Sequence, residues 1–145
     1  MKFFINTVKE GFIKALKTTV TLMKVVLPVY ALVVVIKYSP LMPFLEELFR
    51  PAMGLFRLPP EAVVPIITGV FTDEYGAIAT ASQFNFTGAE LTTIAMIGLV
   101  FHSIPVEFAL SKRIGLPAAK FVLYRFIASI LVGILTARIG GIFLC

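Results

Sequence analysis

The chain has 145 residues, 59% of them apolar, no tryptophan and a formal net charge of +5, and its mean hydropathy is +0.97. That is too apolar for a soluble domain of this size; at about 20 residues per crossing, three or four spanning helices fill the chain and leave no room for a separate soluble catalytic domain. The bases lie in the N-terminal arm and in short connections between apolar runs, which suits the face of a membrane and excludes a nucleic-acid surface.

The single cysteine, Cys145, ends the chain, so neither an intramolecular disulfide nor a cysteine-rich metal site is available, and the position is not that of a prenylation box. Lys9 and Glu10 interrupt the first apolar run too soon for a signal peptide, so the mature chain is expected to begin near Met1.

Phe4, Ile5, Val8, Phe12 and Leu16 recur at helical spacing, with Lys2, Lys9, Glu10, Lys14 and Lys17 across the wheel. This predicts an amphipathic arm over 1–17, lying on the membrane with its lysines on anionic headgroups. A spanning helix follows over 18–38, with Pro28 as a kink and Lys24 snorkelling or facing protein. Ser39, Pro40 and Pro43 stop it. Over 43–57, Phe44, Leu45, Leu48, Phe49, Leu55 and Phe56 share one side and Glu46, Glu47, Arg50 and Arg57 the other, which predicts an interfacial helix.

Leu58-Pro59-Pro60 then sends the chain into the membrane over 60–82, where two adjacent acids, Asp73 and Glu74, stand in an apolar segment between Gly69 and Gly76. An acid near the bilayer centre costs at least about 2.5 kcal/mol, so it survives beside water, a counter-ion, a bound cation or a polar ligand. The bland alternative is a shallow tip with solvated acids. Two runs, 90–111 and 117–144, complete the chain as spanning helices. In the first, His102, Ser103, Pro105 and Glu107 predict a discontinuous helix. Around a basic turn centred near Leu116, Glu107 and Arg125 fall at similar depth on antiparallel helices and are expected to pair. The expected class is therefore an all-α, multi-pass protein of the cell membrane, forming one domain over 1–145.

Were 60–82 to cross completely, Lys112, Arg113 and Lys120 would lie opposite the lysine-rich arm. A re-entrant hairpin keeps both clusters on the cytoplasmic side and puts 83–88, which has no Lys or Arg, outside.

This order of elements resembles the gate, or nucleoside recognition, domain: the repeat unit of concentrative nucleoside transporters, the gate segments of ferrous-iron transporter B proteins, and spore maturation proteins A and B. Pro51-Ala52-Met53-Gly54-Leu55 followed by Leu58-Pro59-Pro60-Glu61-Ala62 is similar to the family's approach to its hairpin, and Ile67-Thr68-Gly69-Val70-Phe71-Thr72-Asp73-Glu74 to its core. The hairpin lacks the Gln-Thr-Glu-Ala-Pro string of the nucleoside transporters, and Asp-Glu stands where the iron proteins tend to have Lys-Glu. The resemblance implies that Thr72, Asp73 and Glu74 bind the solute.

The candidate site is Thr68, Gly69, Thr72, Asp73, Glu74, Gly76, His102, Ser103 and Glu107. His102 has the competing reading of a hydrogen-bonded packing residue, and the hydroxyls of Thr68, Thr80, Ser82 and Ser103 that of helix packing. One His and no neighbouring Cys leave oxygen donors, which suit a hard cation better than zinc. With no nucleophile-base pair, phosphate loop or dinucleotide fingerprint, an enzyme is not expected. Two functions remain: a carrier for a nucleoside-like solute or a cation, coupled to sodium or protons and completed by a second copy or a second gate-type protein; or a non-transporting assembly protein whose acids hold partner helices.

Overall fold

The computed structural model describes residues 2–143; Met1, Leu144 and Cys145, and the expectations placed on them, lie outside the described residues. Helix α1 runs Lys2–Lys37 without interruption. The arm expected over 1–17 and the span over 18–38 are therefore one helix. Nothing at the boundary breaks it: Thr19 and Thr21 return their hydroxyls to the carbonyls of Ala15 and Lys17, at 3.0 and 2.9 Å, so the hydroxyl-rich stretch is absorbed into the helix. At 1.5 Å per residue its 36 residues extend about 54 Å, well beyond a hydrocarbon core of about 30 Å.

Helix α2, Leu41–Leu55, carries Pro43 in its first turn, where no backbone donor is needed, and ends where Arg57 adopts a left-handed backbone with φ 53°. A 3₁₀ turn, Pro60–Ala62, leads into α3, Val63–Phe71, and the Pro60–Phe71 segment stands at 95° to α2. Helix α4, Glu74–Ala81, follows after only two residues.

Helices α3 and α4 form a hairpin. A Cβ on Gly69 would lie 3.0 Å from that of Ala77, whereas residues eight apart on one continuous helix are about 12 Å apart. The chain therefore reverses at Thr72 and Asp73, and the absent side chain at Gly69 lets the two halves touch. The chain leaving the hairpin after α4 reaches the C-terminal end of α1: Lys37 Nζ donates to the Gln83 carbonyl and lies 4.7 Å from the centre of the Phe84 ring.

The run over 90–111, expected as a discontinuous helix, is divided into α5, Gly88–Val100, and α6, Ile104–Arg113. Thr87 and Glu90 form a reciprocal capping box at the start of α5. Helix α7, Ala118–Phe143, lies antiparallel to α5, bringing Gly140 to Ala89 and Gly133 to Ile97. Asn6–Lys37, Gly88–Arg113 and Ala118–Gly140 are each long and apolar enough to cross a membrane. The chain is an all-α, multi-pass membrane protein.

Val33, Met42, Met53, Phe56, Leu58, Val63, Val64, Ile94 and Ile97 form the core, where the end of α1, α2, the hairpin and α5 meet. In a bilayer the cohesion of such a cluster comes from close packing, because lipid tails are as apolar as leucine. That makes small residues at contacts consequential. A Cβ at Gly133 would approach Ile97 Cγ1 and Phe56 Cδ1 to 2.7 and 2.9 Å. Gly133→Val is therefore expected to cost about 1–3 kcal/mol, read as earlier thermal unfolding in detergent; an unchanged midpoint would mean that α7 does not pack closely here.

Candidate functional site

Two breaks in regular structure meet in this fold, and hydrogen bonds fasten one to the other. The first is the hairpin tip. The Thr72 hydroxyl donates back to the Thr68 carbonyl at 2.7 Å, closing α3, and Asp73 caps α4 by accepting from the Gly76 N–H at 2.8 Å. The second break is at 101–103, before Pro105, which has no N–H to carry the helix on.

Ser103 joins them. Its N–H donates to the Gly69 carbonyl at 3.0 Å and its hydroxyl to the Thr72 carbonyl at 2.6 Å. Carbonyls orphaned at the end of α3 are thus satisfied by the start of α6. To make both bonds Ser103 sits at φ 50°, ψ 35°, a left-handed backbone uncommon outside glycine.

Glu74, the first residue of α4, is half-buried; its Oε2 is closed off from solvent and has no hydrogen-bond partner. The carboxylate lies against Gly98 of α5, where an added Cβ would displace it. His102 and Asp73 are the ionisable groups near it. His102 Nδ1 lies 3.0 Å from the Gly98 carbonyl; since a carbonyl only accepts, Nδ1 donates, and a neutral ring keeps Nε2 as its acceptor.

Next to Glu74 a groove of about 330 Å³ runs between α4 and α5, lined by Ala77, Ile78, Ala81, Leu91, Ile94 and Ala95. Thr68 and Thr72 instead line a cavity of about 300 Å³ beside α1 and α2, with Val33 and Leu45.

The structure therefore sorts the expected site residues. Gly69, Thr72, Asp73, Glu74, Gly76, His102 and Ser103 come together at the two breaks. Thr68 faces away, its hydroxyl bonded to the Val64 carbonyl at 2.8 Å. Glu107 pairs with Arg125, and Arg125 Nε also donates to the Val100 carbonyl at 2.7 Å, so one guanidinium holds both halves of the broken helix. The Ser103 hydroxyl serves as the link between the breaks, while those of Thr68 and Ser82 return to carbonyls on their own helices. Gly98 escaped the sequence reading. An unbranched position one turn before His102 was the available signal.

A family model described as Gate, nucleoside recognition, matches residues 19–117. The chain belongs to the gate family. That match includes the hairpin, both breaks and Gly98. This gate protein is also 31% identical over 115 residues to an uncharacterized membrane protein of Bacillus subtilis, YvoD. The alignment covers 79% of the gate chain but spans only 36% of YvoD, little more than a third of its length. No solved structure matches.

Proposed function

We propose that this gate-family chain is one half of a membrane carrier that binds a small polar solute, nucleoside-like in its hydrogen bonding, at Glu74 between the two fastened breaks. One observation carries the reading: Glu74 Oε2 is shut away from solvent without a partner, at a place where non-helical backbone from two elements converges. Such backbone is tolerated at membrane depth where it is buried in protein or lines a cavity, and carriers place their sites at discontinuous helices of this kind. A donor on the solute, or a sodium ion or proton moving with it, offsets the unpaired acceptor.

Carriers of this architecture surround the site with two inverted repeats, so a second copy or a second gate-type protein completes it. Among the described residues no group of three His, Cys, Asp or Glu side chains is placed to hold a metal ion, so a divalent cation would draw on hairpin carbonyls and water, and that reading is weaker. The acids and hydroxyls act here in binding and not in covalent chemistry. The test is a thermal-shift screen of the purified protein over nucleosides, purines and divalent cations. A solute-specific upward shift supports the carrier, and no shift with any of them rejects this solute class.

A second reading has an observation of its own. The groove beside Glu74 is almost wholly apolar and suits a helix of a partner held by one polar contact, as in an assembly protein.

The topology that goes with the carrier has a re-entrant hairpin, with the arm and the Lys112 and Arg113 turn cytoplasmic. In support, Pro59 before the hairpin and Phe84 after it line one pocket with Lys37, at the end of α1 remote from the lysine-rich arm. With Cys145 replaced and single cysteines at Asn6, Asn85 and Gly115, an impermeant reagent on intact cells is expected to label Asn85→Cys alone. Labelling of Gly115→Cys in place of Asn85→Cys would reject the dip.

A further inference from the structure

At the other end of the hairpin from its tip lies a chemically different environment. An open pocket of about 400 Å³ is lined there by Lys37, Glu61, Phe84, Phe86, Thr87 and Glu90, among others. That volume is within the range of small-molecule sites. Its charged groups are not equally committed. The Lys37 ammonium is engaged by the Gln83 carbonyl and the Phe84 ring. Glu90 Oε2 accepts the Thr87 N–H at 2.7 Å in the capping box. Glu61 Oε2 is closed off from solvent and accepts from nothing.

Two carboxylates against one ammonium leave the pocket one negative charge in excess. Phe84 and Phe86 stack with ring centres 5.6 Å apart and supply an aromatic wall.

We propose that this pocket binds a small organic ammonium ion with an apolar or aromatic body, its head on Glu61 and its body against the Phe84 and Phe86 pair. A cation neutralises the excess charge and gives Glu61 the donor it lacks, in a charge-assisted hydrogen bond. Aromatic rings attract ammonium groups and shelter apolar bodies. A divalent metal ion fits less well, since no group of three acidic, His or Cys side chains among the described residues is placed to hold one, and a ring wall offers it no ligand. The site stands on its own residues and does not depend on what binds at Glu74.

The probe is 4-fluorobenzylamine, followed by ¹⁹F NMR against full-length protein in lipid nanodiscs, with empty discs subtracted. Saturable broadening is expected with the amine and not with 4-fluorobenzyl alcohol, its neutral counterpart. Glu61→Gln should weaken binding about tenfold, the scale of one charge-assisted hydrogen bond, and Phe86→Leu about threefold. Should Glu61→Gln fail to fold, Phe86→Leu decides, and unchanged affinity there overturns the site. Equal binding of amine and alcohol, displacement of the amine by calcium chloride but not by unlabelled benzylamine, or amine binding that survives Glu61→Gln and disappears in Glu74→Gln would each overturn it as well.

Discussion

Glu107→Gln and Arg125→Gln are each expected to destabilise the protein by about 3–5 kcal/mol, the cost of stranding one member of a buried pair, and the double change should recover part of the loss. The side chains of Arg125 and Glu107 are only 14% and 27% exposed, so little water is available to solvate whichever charge remains. The two single changes should not be equal. Arg125 also satisfies the Val100 carbonyl, the end of a helix that Pro105 prevents from continuing, so Arg125→Gln loses two interactions and the double variant does not return to wild type. Arg125→Lys should rescue poorly, because a lysine cannot present a guanidinium's fork to a carboxylate and a carbonyl together. The measurement is a thermal unfolding cycle in detergent. Additive losses in the double variant would show that the groups do not interact.

Glu74→Gln is expected to abolish solute-induced stabilisation altogether while leaving the unliganded protein close to wild type, since the oxygen it alters has no partner to lose. Asp73 should behave differently although it is the adjacent acid. Its carboxylate caps α4 through the Gly76 N–H, so Asp73→Ala should cost about 0.5–2 kcal/mol of stability, whereas Asp73→Asn, a comparable cap, should cost little. Gly98→Ala offers a control from the other side of the contact. Its new methyl displaces the Glu74 carboxylate and should weaken the solute response without changing any ionisable group. A thermal-shift series over these variants decides the matter. Normal solute response in Glu74→Gln, with lost association between copies, would move Glu74 from a binding site to an assembly contact.

Much of this molecule was legible in its residues because the signals were chemical and local. Sustained hydropathy and spacing specify membrane helices, and prolines at positions 40, 59, 60 and 105 mark where they stop or break. Two acids in an apolar Gly-flanked run stand out by their desolvation cost, and the Glu107 and Arg125 pair followed from equal distance to one turn. What the sequence could not resolve depended on residues far apart. No turn separates the arm from the first span, because a boundary inferred from a change in polarity need not be a boundary in backbone hydrogen bonding. The acids look equivalent in the sequence, yet one is spent on a cap and the other left open, since a backbone reversal at Thr72 aims adjacent side chains differently. The role of Ser103 required the tertiary structure: which orphaned carbonyls its N–H and hydroxyl reach, 34 and 31 residues away along the chain, is set only when the hairpin packs against the broken helix. Pattern along the chain determined which segments are long and apolar enough to cross a membrane and where proline interrupts them, because those depend on a residue and its near neighbours; the pairing of the breaks was decided by packing, because an unsatisfied backbone group takes whatever donor the fold brings to it.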